Sequence, residues 1–294
     1  MRYLRATENQ KKKTKNMRRL NYFLLIILIC QITFGQSKTE KETTKIVEEG
    51  KMLYKSEMAS WYGTDIFIEK FKEKEKIGGY LSYSENDISR CIFFSKGEKP
   101  KVIGTMDFDT TFKIENAKTD LNERELSKNE FDLFEMRTVA LKIINSDTIF
   151  KKYENSNLNL IPIINGKEKK VYVLSGPKKN GVIIFGNDYL LNFDEKNKLL
   201  SRKQLHRNII PIEYGAKNEI GETMHSHRPE TGDFITSTDI CTLMLYAKFA
   251  KMKQHYVISK NYVSIWDCEK EMLAIMTTKA WKRIGKYDEK NKKE

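Results

Sequence analysis

Residues 224–267 of this chain of 294 residues have the sequence MHSHRPETGDFITSTDICTLMLYAKFAKMKQHYVISKNYVSIWD. It contains three of the four histidines of the chain, His225, His227 and His255. Apolar residues at helical spacing then predict a helix over 239–252, followed by two strands that turn at 260–261. The stretch therefore predicts, in order, a strand end with two histidines, a helix and a hairpin.

His225 and His227 are two residues apart, so their side chains point to the same face of an extended strand. Two imidazoles on one face are a starting point for a zinc site, which takes a third protein ligand and leaves one position for water. Asp239, at the start of the predicted helix, offers that third ligand. The spacing of Thr236 and Asp239 is also that of a capping box at a helix N-terminus, which needs no metal. Both interpretations stay open at this point.

The order His225-x-His227, eight further residues and then Thr236-x-x-Asp239 resembles the signature of the JAB/MPN (JAMM) metalloproteases. In that family a His-x-His pair is followed by Ser and then by the Asp that leads into a helix. Here the loop is one residue longer than the usual seven, Thr236 stands in place of Ser, and the proline falls one place later, at Pro229. The resemblance covers the motif and the order of the elements around it.

This resemblance implies a zinc-dependent, peptidase-like protein that acts on a peptide or isopeptide bond. Zinc would be held by His225, His227 and Asp239, and the hydroxyl of Thr236 or Ser237 would stabilise the oxyanion of the transition state. The partner would be a peptide or protein substrate.

The general base that the family uses is a Glu just before an apolar strand that ends in Gly. A carboxylate there takes a proton from zinc-bound water, whose pKa the metal lowers to about 7. In this chain the similar strand is 181–186, and Lys178 occupies the position of the Glu, where it cannot act as that base. Asp188, at the entrance of the strand Tyr189–Phe193, is the alternative catalytic carboxylate.

Two rival interpretations stay open, the first favoured by Lys178 and the second requiring the His-x-His pair to be incidental. One is a non-catalytic envelope or interaction protein that retains the JAB-like fold, and the other is a binding module without any metal. Whether the chain is an enzyme is therefore left undecided by the sequence. Convergence of the two histidines with Asp239 would favour the metal-binding interpretations.

The N-terminal residues predict export. From Met17 the chain has two arginines, a short apolar run over 22–30 and small residues before Gln36, as in a secretory signal peptide cleaved after Gly35. The apolar run is shorter than the ~20 residues that span a bilayer. We therefore expect a periplasmic or secreted protein that contacts the membrane only through an uncleaved signal segment.

The net charge of the chain gives no reason to predict a nucleic-acid partner. The net charge of +13 falls to +6 without residues 1–35, because these contain eight basic residues and one acidic residue. Basic and aromatic residues do not alternate as in the binding grooves of proteins that bind single-stranded nucleic acids, so no nucleic-acid partner is predicted.

Three cysteines, Cys91, Cys241 and Cys268, remain after export, which is an odd number. One disulfide and buried free thiols are both compatible with it.

The remaining pattern predicts an α+β protein in three parts: the tail and signal peptide (1–35), an N-terminal α+β region (36–150) and a JAB-like α/β C-terminal domain (151–294). The region 36–150 has a helix over 39–71, either continuous or with a break near Gly63, then antiparallel strands and a second helix over 122–145 capped by Asn122 or Ser127. From 151 onward short strands dominate, and 175–181 is predicted to be a hairpin turn. His206 and His255 could each be an extra ligand, or His255 a helper at the edge of the site, but a lone histidine at a strand end is more often a surface or hydrogen-bonded residue, so both are left outside the predicted ligand set.

Overall fold

The computed structural model describes residues 37–215 and 220–291. The described residues form four α-helices and fourteen strands, which confirms the predicted α+β class. The predicted signal peptide lies outside the described residues. From Lys45 onward the chain forms one compact unit, distinct from the segment before it. Among the helices of these ranges, none combines the length and apolarity that a membrane crossing requires.

The helices are α1 (Lys38–Lys70), α2 (Lys128–Ser146), α3 (Ser237–Ala250) and α4 (Thr278–Asn291). The first sheet has the order β1 (Ile77–Glu85), β2 (Ile88–Ser95), β3 (Val102–Phe108) and β4 (Lys118–Asp120). The second has the order β5 (Ser156–Asn165), β6 (Glu168–Pro177), β8 (Tyr189–Phe193) and β9 (Leu199–Gln204). A two-stranded sheet pairs β7 (Val182–Gly186) with β10 (Ile209–Glu213).

The fourth sheet carries the histidines. Its order is β11 (Glu222–Ser226), β12 (Gln254–Ile258), β13 (Tyr262–Asp267) and β14 (Met272–Thr277). The pair β11–β12 is parallel, whereas the pairs β12–β13 and β13–β14 are antiparallel. Because parallel neighbours need a crossover, α3 makes the connection between β11 and β12 and returns over the sheet. This unit places the N-terminus of α3 near the carboxyl end of β11.

Helix α1 runs without interruption through Gly63, so the alternative with a break there is wrong. A Cβ at Gly63 would lie 2.7 Å from Cβ of Cys91 on β2, so the glycine allows the helix to approach the first sheet closely. One turn later, the ring of Phe67 stacks on that of Phe93 with 3.9 Å between centroids. The glycine thus serves tertiary packing, which a local pattern does not reveal.

Helix α2 begins later than predicted, since its N-cap is Ser127 and not Asn122. The preceding residues 118–120 form β4, which pairs with β3. Ser127 and Glu130 make a reciprocal capping box, and the buried face of α2 then joins a core shared with the first two sheets. That core includes Leu81 before residue 150 and Val171 after it. The division at residue 150 stays a prediction.

The hairpin predicted at 175–181 is wrong. Strand β6 pairs with β5 and β8 in the second sheet, while β7 does not pair with β6 and pairs with β10 instead.

The three cysteines Cys91, Cys241 and Cys268 are free thiols, and the first two are buried. Burial raises the pKa of each thiol above its usual value.

Glu130 ties α2 to the first sheet. Its side chain is 1% exposed and accepts hydrogen bonds from Arg124 (2.7 Å), from the backbone N–H of Ser127 (2.7 Å) and from the hydroxyl of Tyr83 (2.9 Å). Burial by itself raises the pKa of this carboxyl, but the hydrogen bonds outweigh burial and lower the pKa to about 2.

The substitution Glu130→Gln is expected to lower the free energy of unfolding by about 2 kcal/mol at pH 7, because Arg124 is part-exposed and solvent screens some of the ion pair. The folded pKa lies below the unfolded value, so the stabilisation is present above the unfolded pKa and is lost as the pH falls towards 2. Urea unfolding should show the difference shrinking by more than half at about pH 3. Glu154→Gln, at an exposed position, is the control, and a pH-independent difference would contradict the ion-pair origin.

Candidate metal centre

Four buried side chains converge at one end of the fourth sheet. They are His206, His225, His227 and Asp239, and one ligand atom from each lies within 4.8 Å of the others. His225 is in β11 and His227 follows it directly, while Asp239 is in the first turn of α3. His206 comes from the short loop between β9 and β10. The crossover from β11 through α3 therefore supplies three of the four groups.

The spacing of these atoms suits a small four-coordinate cation. Nε2 of His227 lies 2.9 Å from Nε2 of His206 and 3.0 Å from Nε2 of His225. Oδ2 of Asp239 lies 3.4 Å from Nε2 of His227 and 3.6 Å from Nε2 of His206, and Oδ1 lies 3.7 Å from Nε2 of His225. A tetrahedral zinc ion with bonds of about 2.0–2.1 Å separates its ligand atoms by about 3.3 Å, and these individual distances lie on both sides of that value.

The two oxygens of Asp239 have different surroundings. Oδ2 accepts hydrogen bonds from the backbone N–H (3.0 Å) and the hydroxyl (2.7 Å) of Thr236, which completes the capping box of α3. Oδ1 is buried without any hydrogen-bond partner, and so is Nδ1 of His227. A buried carboxylate oxygen without a donor is costly, and a cation at the centre would satisfy it. The capping and the metal-ligand interpretations of Asp239 are thus compatible.

A second layer orients His206. Its Nδ1 lies 2.8 Å from Oδ1 of Asp188, which also accepts from the backbone N–H of His206 at 3.0 Å. Thr238, one residue before Asp239, donates its hydroxyl to the other oxygen of Asp188. Because a carboxylate only accepts, Nδ1 carries the proton and Nε2 faces His227 and Asp239. Carboxylate–histidine pairs of this kind commonly support metal ligands.

A chain of hydrogen bonds orients His225. Its Nδ1 lies 2.9 Å from Nε2 of His255, whose Nδ1 lies 2.6 Å from the hydroxyl of Thr223. The ring of Phe185 stacks on His255 with centroids 4.8 Å apart. Burial lowers the pKa of His225 to about 4 and that of His255 to about 3. Both rings are therefore neutral at physiological pH, which is the form that binds metals.

The pKa of His206 is shifted upward, whereas those of His225 and His255 are shifted downward. Burial by itself lowers its pKa, but the carboxylates of Asp188 and Asp239 outweigh burial and raise the pKa to about 9. Burial likewise raises the pKa of Asp239, and the three histidines outweigh it and lower that pKa well below the usual value. Without a metal, a protonated His206 balances two buried carboxylates. The two carboxylates, Asp188 and Asp239, thus make the centre favourable for a positive charge.

The structure brings together all three predicted metal ligands, His225, His227 and Asp239. The group could hold a metal ion, and its chemistry fits one, since three Nε2 atoms and the buried carboxylate of Asp239 lie close together and one oxygen of that carboxylate has no donor. His206 was left outside the predicted ligand set but belongs to this group, and the surface interpretation of His206 and His255 is wrong because both are buried. The available signal was that all four histidines of the chain fall between residues 206 and 255.

The residues predicted to be catalytic lie around the ligands and make other bonds. Asp188 bonds His206, and Thr236 caps α3. Ser237 is buried and hydrogen-bonds the side chain of Tyr172. Lys178 donates to the backbone carbonyl of Glu154 at 3.0 Å. The catalytic roles of Asp188, Thr236 and Ser237 stay predictions, and none was predicted for Lys178.

Comparisons with protein-family models, with curated proteins and with solved structures found no match to this chain.

Proposed function

We propose that the protein binds one zinc ion through His206, His225, His227 and Asp239, and that this site stabilises the fold. The observation that supports it is the convergence of three imidazoles with the buried carboxylate of Asp239, one oxygen of which has no hydrogen-bond donor. Three nitrogen ligands with one carboxylate suit zinc, whereas magnesium and calcium prefer oxygen ligands throughout.

The donor set favours a closed site. Catalytic zinc sites usually have three protein ligands and an open position for water, while structural sites have four protein ligands. Here a fourth side chain, His206, is already present, and the relative exposure of the four ligand residues is between 1% and 8%. The ligands join the β9–β10 loop, the end of β11 and the start of α3. In this proposal the non-catalytic alternative, an exported envelope or interaction protein, takes precedence over the peptidase.

The second candidate is the zinc-dependent peptidase of the JAB/MPN resemblance, acting on a peptide or isopeptide bond outside the cytoplasm. It is favoured by the order of His225, His227 and Asp239 on a strand and the following helix. It requires His206 to leave the centre so that water and substrate gain a position. Asp188, the carboxylate that the sequence offers as a general base, would then lose its bond to His206 and be free to take a proton.

Metal analysis of the purified protein tests the proposal directly. We expect about one zinc ion per chain in the wild type and loss of that zinc in His227→Ala, because a ligand is removed from a four-ligand set. Glu230→Gln is the matched control, since its side chain is 75% exposed in the loop between His227 and α3. A folded wild type that takes up no zinc on reconstitution would refute the proposal.

The same samples separate the two candidates. Incubation with a fluorogenic peptide library should give no hydrolysis by the zinc-loaded wild type if the site is closed. Hydrolysis that disappears in His227→Ala and persists in Glu230→Gln would instead support the peptidase.

A further inference from the structure

A cleft of about 370 Å³ lies between α1, the first two sheets and the C-terminal half of α3. Residues that line it include Glu57, Trp61, Asp65, Tyr80, Asn159 and Tyr246. None of the four candidate metal ligands is among its lining residues. Its volume is within the range of about 300–1,000 Å³ that small-molecule sites occupy.

The charge of this cleft is unlike that of the chain. The protein has 53 basic and 40 acidic residues, yet the described lining residues include two carboxylates, Glu57 and Asp65, and no Lys, Arg or His. The field of Glu57 raises the pKa of the neighbouring Tyr80 and Tyr246, after the larger effect of burial. A concave surface with one sign of charge concentrates ligands of the opposite sign.

Glu57 has no cationic partner among the described residues. Its Oε2 accepts a hydrogen bond of 2.9 Å from the side-chain amide of Asn159. Burial raises the pKa of this carboxyl to about 7, more than the amide lowers it. A carboxylate held without a counter-ion in a partly buried place gains from a cation brought by a ligand.

Aromatic faces complete the cleft. Trp61 is 46% exposed, and its ring lies 6.2 Å from that of Tyr246 at an interplanar angle of 50°. Cations are attracted to the faces of such rings, most strongly to Trp. The protein makes such a contact elsewhere, since the guanidinium of Arg137, which is not a lining residue, lies 5.4 Å from the ring centroid of Tyr80.

We propose that this cleft binds a small organic cation, with its ammonium or guanidinium group beside Glu57 and against the rings of Trp61 and Tyr246. The carboxylate supplies charge, the rings supply cation–π contact, and the amides of the wall orient polar groups of the ligand. This site is separate from the proposed zinc centre, and its occupation does not depend on zinc.

The experiment is calorimetric titration of the zinc-loaded full chain with choline and with agmatine. The neutral isostere of choline, 3,3-dimethylbutan-1-ol, is the ligand control. We expect at least one cation to bind, with the neutral isostere weaker by about tenfold or more. Glu57→Gln and Trp61→Leu should each weaken cation binding about tenfold. Glu48→Gln, at an exposed position on α1 outside the cleft, should leave it unchanged.

The melting temperature of each variant shows whether the fold is intact, independently of cation binding and of zinc. Equal binding of choline and its neutral isostere would overturn the proposal, as would absence of binding of both cations up to about 10 mM. Unchanged affinity in both cleft variants would place any binding elsewhere and would equally overturn it. Each of these outcomes can be interpreted even if the protein binds no zinc, because occupation of the cleft does not depend on zinc.

Discussion

Removal of the metal by a chelator is expected to lower the apparent melting temperature of the protein by roughly 8–16 °C. A ligand that binds only the folded state stabilises it by ~4.1 kcal/mol when its free concentration is 1,000 times its Kd. For a domain of 150–250 residues, each kcal/mol corresponds to about 2–4 °C. The reason lies in the centre itself, where Oδ1 of Asp239 is buried without a donor once the cation is absent.

Differential scanning calorimetry with and without dipicolinate measures this effect. His227→Ala should melt near the temperature of the chelated wild type and should not respond to the chelator. If a wild type shown to contain stoichiometric zinc melted at the same temperature before and after its removal, the site would not be coupled to the fold.

The second large effect is expected for Gly186→Ala, which should lower the free energy of unfolding by about 3 kcal/mol or more. Gly186 has φ +78°, and an added Cβ would lie 2.3 Å from the backbone carbonyl oxygen of Asn208 and 3.2 Å from Cβ of His206. That carbonyl is next to β10, which is paired with β7, so it cannot easily move. The substitution also disturbs the backbone next to Asp188, and zinc affinity should fall with stability.

Gly166→Ala is the matched control. Gly166 also has positive φ, +58°, but an added Cβ meets nothing within 4 Å. It should therefore show only the conformational penalty of about 1 kcal/mol. Urea unfolding and zinc titration of both variants separate strain from collision, and equal losses in the two would show that the contact with Asn208 contributes nothing.

The parts of the site that sequence reasoning could predict are local. The two-residue spacing places His225 and His227 on one face of a strand, and the rings do meet, with Nε2 atoms 3.0 Å apart. The spacing of Thr236 and Asp239 gives a capping box, which the structure contains. His206 could not be placed in this way, because its position depends on the β9–β10 loop reaching a different sheet.

The same distinction explains the differences in the fold. Gly63 has the local signature of a helix break, but its role is the close approach of α1 to Cys91. Asn122 and Ser127 are equally good caps in isolation, and the pairing of β4 with β3 decides between them. The sequence pattern predicts that β6 and β7 are strands. It does not predict that β7 pairs with β10, because that pairing depends on residues far apart in the chain.

Asp239 caps the helix through Oδ2, and both of its oxygens lie beside the histidines, Oδ2 near His206 and His227 and Oδ1 near His225. The ligands extend from residue 206 to residue 239, so a chain in which α3 has not started to wind presents no assembled pocket for an ion. Coordination and winding of this helix are therefore expected to be one cooperative event. Such a chain would discriminate against premature loading, since only its finished form offers the ion a complete set of donors.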